Sequence, residues 1–349
     1  MEMRNQTQIS SVNILPVTPP IVTTYTHHAH LLSILSNYKC TYEWIMENYI
    51  QLYMYRDNCI PWGDFYFPAT HEVRPFDTCK WISSQKINRD LAVSKWGSII
   101  DFIIEQINSN DYVHTMVNYY YVPLSDIYGK YHFCHDIFIY GYDMNKKILY
   151  FSDFFRGGKY STGEISFSDF SLAFSMYNCA KNEDYLFGKI NLYKFNNEYT
   201  NKYRFSFSAV ISSIKKYLLG DCLEYWSIYD YENNKNNVAF GIEVFSSIIN
   251  YVKKTANNGT DIDIRPLYLV YDHKSIMVAR LKYLYKQGYL ENFNYYNIER
   301  FKEIISKTRT AVNIIIKYNI TKNKILIDRV VNILNDVKKE EIEILSRLF

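Results

Sequence analysis

Two stretches place chemistry-bearing side chains close together. TYTHHAHLLSIL (residues 24–35) sets His27, His28 and His30 beside Thr26 and Ala29, just ahead of an apolar run. HFCHDIFIYGYDMNKKILYFSDFF (residues 132–155) opens one β-rich run with His135 and puts Asp153 near the end of the next. A turn centred on Met144 would bring His135 and Asp153 face to face, where cross-strand Cβ atoms lie about 4.5–5.5 Å apart. A carboxylate there accepts a hydrogen bond from the imidazole, fixes its tautomer and stabilises its charged form. That is the base-and-orienter half of a nucleophilic triad. The same spacing also suits a strand-end histidine and a turn aspartate with no catalytic duty. His132 and His114 compete for the role, but neither has a matching carboxylate on a paired strand.

The histidine cluster raises the question of a metal. On a helix His27 and His30 share a face and His28 diverges, whereas a metal-binding helix sets ligands four apart with a third from elsewhere. No third ligand stands out, so polar pocket lining is expected and neither a metal nor a cofactor is. RGGKYS (residues 156–161) lacks the spacing of a phosphate loop and reads as a turn. NYYYVP (residues 118–123) and WGDFYFP (residues 62–68) cluster aromatics, with Tyr119 and Tyr121 able to clasp an aryl acyl group or to pack in a core. RPLYLVYDHKSIMVAR (residues 265–280) groups Arg265, His273 and Lys274, which could meet an acidic partner or a phosphate, or simply cap and solvate a helix.

The elements that must position these residues follow from periodicity. AHLLSILSNY reads as a buried helix after a polar entry. SKWGSIIDFIIEQINSND repeats apolar residues at helical spacing from Trp96 to Ile107 and predicts a helix through that range. YVHTMVNYYYVP, HDIFIYGYD and KILYFSDFF are short β-rich runs bounded by turn residues. EISFSDFSLAFSMY predicts a short strand and a helix starting at Ser168 or Asp169. From about Lys181 onward, long stretches show apolar stripes at i, i+3 and i+4, with Gly288 as a helix stop. The expected division is residues 1–185 and residues 186–349.

Composition narrows the class. The chain has 349 residues, 48% hydrophobic and 21% charged, enough to bury a core and unlike a disordered segment. No stretch approaches the roughly 18 apolar residues of a membrane span. The first 20 residues have no basic segment followed by an apolar run, so a cytoplasmic protein is expected. The six cysteines are scattered without a CxxC pair, and free thiols are expected. Residues 1–180 carry 13 basic and 17 acidic side chains, while the remainder carries 26 and 19. The basic half lacks the dense Lys/Arg stripe of a nucleic-acid binder.

A histidine opening a strand that ends in YGYD, followed by a strand ending in Asp, resembles the papain-like cysteine peptidases, particularly their bacteriocin-leader peptidase branch. More specifically, the chain resembles the butirosin-biosynthesis protein H family of papain-like acyltransferases and amide-forming enzymes in nonribosomal natural-product assembly. The amide synthetases of polythioamide (closthioamide-type) assembly are similar. HHAHLLSIL, HFCHDIFIYGYD with ILYFSDFF, FGIEVFSSIINYV and DIRPLYLVYDHKSIMVARLKYL carry the resemblance by their order, and together they span most of the chain.

The resemblance implies an α+β fold: a papain-like, cysteine-protease-type N-terminal domain with an antiparallel sheet, plus a mainly α-helical C-terminal domain. It implies that an acyl group leaves a phosphopantetheine thioester on a carrier protein and is passed to a small-molecule amine, with no cofactor, nucleic acid or membrane involved. His135 would be the base and Asp153 its orienter. The family's nucleophilic cysteine opens the first long helix, where the helix N-terminus favours thiolate. Counting back from Leu35 puts that position at Thr26, with His27, His28 and Ala29 as alternatives, and no cysteine is present. Direct attack of the amine on the thioester, with the helix start as oxyanion corner, is then the expected chemistry. A non-catalytic binding protein on the same fold and a peptidase-like hydrolase are the alternatives.

Overall fold

The computed structural model describes residues 10–56, 61–66, 75–77, 79–179, 184–220, 237–291 and 293–349. The strands are β1 (Val12–Ile14), β2 (Gln51–Tyr55), β3 (Gly63–Tyr66), β4 (Ile82–Asn88), β5 (Tyr112–Asn118), β6 (Cys134–Asp143), β7 (Ile148–Arg156), β8 (Lys159–Ser166), β9 (Lys189–Phe195) and β10 (Val238–Phe240). The first five helices are α1 (Thr26–Leu35), α2 (Tyr42–Glu47), α3 (Arg89–Trp96), α4 (Ile99–Asn108) and α5 (Phe167–Ser175). The later ones are α6 (Phe207–Leu219), α7 (Val244–Asn257), α8 (Arg265–Lys286), α9 (Tyr296–Thr321) and α10 (Ile325–Leu345).

The mixture of helices and antiparallel sheet makes this an α+β chain, folded as two compact units. The first takes the described residues up to Pro20, Tyr25–Lys39 and Cys79–Lys202; the second takes Ile21–Thr24, the described part of Cys40–Thr78, and Tyr203–Phe349. The division is therefore not one cut at residue 185. Strand pairing explains why: β2 pairs with β10, nearly two hundred residues later, while β9 pairs with β4 and β5. Sequence texture changes near residue 185, but hydrogen-bond ladders decide which segments belong together.

In the first unit the strands run in the order β4-β9-β5-β6-β7-β8, and β1 lies against the far end of β6. β5 is buried along its whole length, and so is β6 beyond its first two residues, which suits their largely apolar runs. Gly141, in the YGYD run, sits where β1 approaches: a Cβ there would meet the Asn13 carbonyl oxygen at 2.8 Å. The single helix expected through Trp96 to Ile107 is instead two. α3 ends at Gly97, and Ser98 caps α4 by accepting the Asp101 N–H. α4 buries Ile99, Phe102, Ile103, Ile104 and Ile107 on one stripe, each worth about 1.5–3 kcal/mol of burial. α5 starts at Phe167, slightly earlier than expected, because Ser166 serves as its cap and accepts the Asp169 N–H.

The second unit combines a small sheet, β10-β2-β3, with α2 and α6 to α10. Its helices carry an ionic cluster inside the core. Lys274 Nζ on α8 lies 2.6 Å from the Glu341 carboxylate of α10 and 2.9 Å from both the Tyr217 hydroxyl and His273 Nδ1. His273 Nε2 lies 2.9 Å from the Ile50 carbonyl oxygen. The ammonium thus meets three acceptors, which is the condition for tolerating a buried charge. Burial draws the Lys274 pKa down and pushes that of Glu341 up. Nearly two turns on, buried Arg280 donates to the carbonyls of Met46, Asn48 and Tyr49, closing the C-terminal end of α2. No helix among the described residues is long and apolar enough to cross a membrane.

Candidate functional site

β6 begins Cys134-His135-Asp136, and its two neighbours supply the partners these residues need. His135 Nδ1 lies 2.8 Å from Asp153 Oδ2 on β7 and 3.0 Å from its neighbour's carbonyl oxygen, that of Asp136. The two residues are not directly opposite, as a turn on Met144 would make them. The turn instead spans residues 144–147, between the Asp143–Ile148 pair, and the ladder shifts between Ile139 and Gly141. With Phe138 opposite Ser152, Asp153 falls opposite Ile137, and His135 reaches it along the diagonal.

Asp153 is wholly buried and fully engaged. Its Oδ1 accepts the Phe154 N–H at 2.7 Å, and Oδ2 accepts the hydroxyl of Tyr119 as well as the His135 ring. Because Nδ1 faces Asp153, Nε2 is the outward nitrogen, and no hydrogen bond is formed by it among the described residues. The His135 side chain is 26% exposed. Its ring lies between Tyr119, at 5.0 Å, and exposed Phe133, at 5.7 Å. Burial works against a charge on this ring, yet the carboxylates of Asp153 and Asp136 outweigh it and raise the pKa to about 10.

Asp136 is the hub of a second, deeper group. Its Oδ2 lies 3.0 Å from His30 Nε2 on α1 and 2.9 Å from His114 Nε2 on β5, while Oδ1 is 3.4 Å from His135 Nδ1. The other nitrogen of His30 meets the Tyr160 hydroxyl at 2.8 Å, and the ring stacks on Phe138. The Tyr185 hydroxyl lies 3.3 Å from His114 Nε2 and 3.4 Å from Thr26 Oγ1. Burial opposes the Asp136 charge, but His135 and the bonds from His114 and His30 hold its pKa well below the ordinary carboxylate value. Burial lowers the pKa of His30, which favours its neutral form.

The fold therefore gathers Thr26, Tyr119, His135 and Asp153 into one polar network. Thr26 opens α1. His27 stacks on Tyr25 and tilts against buried His28, and Ala29 is wholly buried. Tyr121 lies outside the network, with its ring beside Tyr120 and His132. Arg265, His273 and Lys274 belong to the second unit. His273 and Lys274 are wholly buried with their nitrogens used internally, so of the three only Arg265, paired with Asp263, offers its charge at the surface. From the WGDFYFP run, Trp62 donates to the Tyr53 hydroxyl and Phe65 is core. Phe67 and Pro68 lie outside the described residues, as do Cys59 and Cys222.

Sequence reasoning missed Asp136, His30, His114, Tyr160 and Tyr185 as members of this network, and His114 does have a carboxylate on its paired strand. The signal was the acid in HDIFIYGYD. A carboxylate opening so apolar a strand has to be partnered when it is buried. The expectation of free thiols also fails at two positions. Cys134, next to His135, is disulfide-bonded to Cys179, which follows α5. Cys40 and Cys79 are free. Comparison with known proteins returned no match, either to a family model or among curated sequences.

Proposed function

We propose that the chain is a papain-like acyl- or amide-transferring enzyme that moves an acyl group from a carrier-protein thioester to an amine in natural-product biosynthesis. The observation that carries this reading is the His135–Asp153 pair: Nδ1 held at 2.8 Å from a buried carboxylate, Nε2 turned outward on a partly exposed ring. An imidazole so held presents one nitrogen for proton transfer in a fixed orientation.

The reaction needs neither ATP nor a redox partner. The amine attacks the thioester carbonyl, forming the C–N bond and a tetrahedral oxyanion, which backbone N–H groups at the start of α1 stabilise. Collapse breaks the C–S bond. His135 Nε2 gives its proton to the departing thiolate and then receives one from the new amide nitrogen. The products are the amide and the carrier thiol, and the ring ends as it began. Thr26 stands where the family carries its cysteine, with its hydroxyl 3.4 Å from that of Tyr185. An alcohol at that place is a weak nucleophile, so the amine attacks directly. Effective molarity from holding both substrates then supplies much of the rate.

The proposal puts the protein in the cytoplasm with its carrier-protein partner, where the Cys134–Cys179 bond must withstand reducing thiols. The decisive assay follows amide formation from an acyl-carrier thioester and an amine. His135→Ala should abolish it, and an unchanged rate in that variant removes His135 from the chemistry. The lack of a cysteine at the α1 start favours one second reading, a binding protein on the same fold. Tight product binding without turnover by the unsubstituted chain would establish it.

A further inference from the structure

We propose that His30, His114 and Asp136 form a site for one divalent transition-metal ion of the zinc or cobalt class, buried within the first unit. Three separate elements converge here. α1 brings His30, β5 brings His114 and β6 brings Asp136, and their ligand atoms all lie within 4.8 Å of one another. Two imidazole nitrogens and a carboxylate oxygen are the donor set that such ions take.

The geometry is close to that of a bound ion. Both Nε2 atoms address the same oxygen, Asp136 Oδ2, at 3.0 and 2.9 Å, and Oδ1 lies 3.4 Å from His135 Nδ1. Ligands of a tetrahedral ion with bonds of about 2.0–2.1 Å stand about 3.3 Å apart. Opening these separations by a few tenths of an ångström therefore seats an ion between them.

The surroundings agree. The far nitrogen of His30 lies 2.8 Å from the Tyr160 hydroxyl, the oxygen partner that orients a metal-bound imidazole. The Tyr185 hydroxyl stands close by, 3.3 Å from His114 Nε2, as a fourth ligand atom. Two buried carboxylates, Asp136 and Asp153, lie here, and among the described residues no lysine or arginine bonds either one. His135 bonds both and offsets part of that charge, and a divalent ion held by Asp136 would offset the rest. The site stands or falls independently of the acyl-transfer reading, because its test reads bound metal and not turnover.

The test uses the full chain without a histidine tag, freed of metal by chelation during unfolding and refolded with Co(II). The expected result is one cobalt per chain, visible d–d absorption of a low-coordinate nitrogen–oxygen site, and a higher thermal midpoint than the metal-free chain. His114→Gln and Asp136→Asn should each remove the absorption, and His135→Ala should retain it. Absence of stoichiometric cobalt and of the absorption in the unsubstituted chain overturns the proposal, even where the variants fail to fold. So does absorption that survives His114→Gln but is lost in His135→Ala, which would put the ion between His135, Asp136 and Asp153.

Discussion

His135 and Asp153 meet along a diagonal of the β6–β7 ladder, with Nδ1 2.8 Å from Oδ2, although Asp153 falls opposite Ile137. The contact holds because Asp153 is fixed from two further sides, by the Tyr119 hydroxyl and the Phe154 N–H. Asp153→Asn replaces an acceptor by an amide and leaves the ring without its charged partner. Under the proposed function it should lower amide formation by about 10²–10⁴-fold, the range of orienter and general acid–base losses. Tyr119→Phe keeps the carboxylate and should cost about tenfold, one hydrogen bond's worth. Steady-state rates on an acyl-carrier thioester check both, and equal losses would place Tyr119 beside Asp153 in importance.

The disulfide between Cys134 and Cys179 closes a loop over a sequence separation of 45. Chain entropy assigns such a closure about 4 kcal/mol of stability. Denaturant unfolding with and without a phosphine reductant should show the first unit weakened by up to that amount. A Cys134→Ser/Cys179→Ser variant should match the reduced protein and no longer respond to reductant.

Lys274 and Glu341 form an ion pair with no solvent contact on either side chain. Lys274→Met strands the Glu341 carboxylate and should cost about 3–5 kcal/mol. Adding Glu341→Leu removes the stranded charge and should restore most of the loss. A double-mutant cycle by urea unfolding measures this, and additive costs would show that the two side chains act separately.

Asp272 accepts the Thr23 N–H at 2.6 Å and the Thr24 hydroxyl at 2.7 Å, all within the second unit. Burial raises its pKa from 3.8 to about 6, against the lowering effect of these bonds. The folded form therefore holds the proton more tightly than the unfolded form, and this group's contribution to stability falls as pH rises from about 4 to 6. Asp272→Asn keeps an acceptor oxygen and removes the dependence. Relative to the unsubstituted chain it should gain up to about 3 kcal/mol across that window and nothing further above it. Unfolding free energies at several pH values report the difference directly.

Much of the candidate site is legible in the sequence. The run HFCHDIFIYGYD predicts a strand headed by His135, ILYFSDFF predicts its partner with Asp153, and AHLLSILSNY predicts a buried helix after a polar entry, which the structure starts earlier, at Thr26. Each is a local statement, since strand and helix periods are written in neighbouring residues. The loss at Trp96–Ile99 is also local: apolar spacing continues across Gly97, and only backbone geometry shows that α3 stops and Ser98 restarts the chain as α4.

Tertiary structure decided the rest. Periodicity says which face of β6 is apolar, but not that Asp136 finds His30 over a hundred residues earlier and His114 on β5. Nor does it say that Cys134 meets Cys179, or that β2 joins β10 and so carries its segment into the second unit. Nor does it show that His273 and Lys274 turn inward, where Glu341 and the Ile50 carbonyl satisfy them. A buried polar atom must be partnered, and sequence can require the partner. Which distant residue supplies it depends on ladder register and helix packing, which no local spacing encodes.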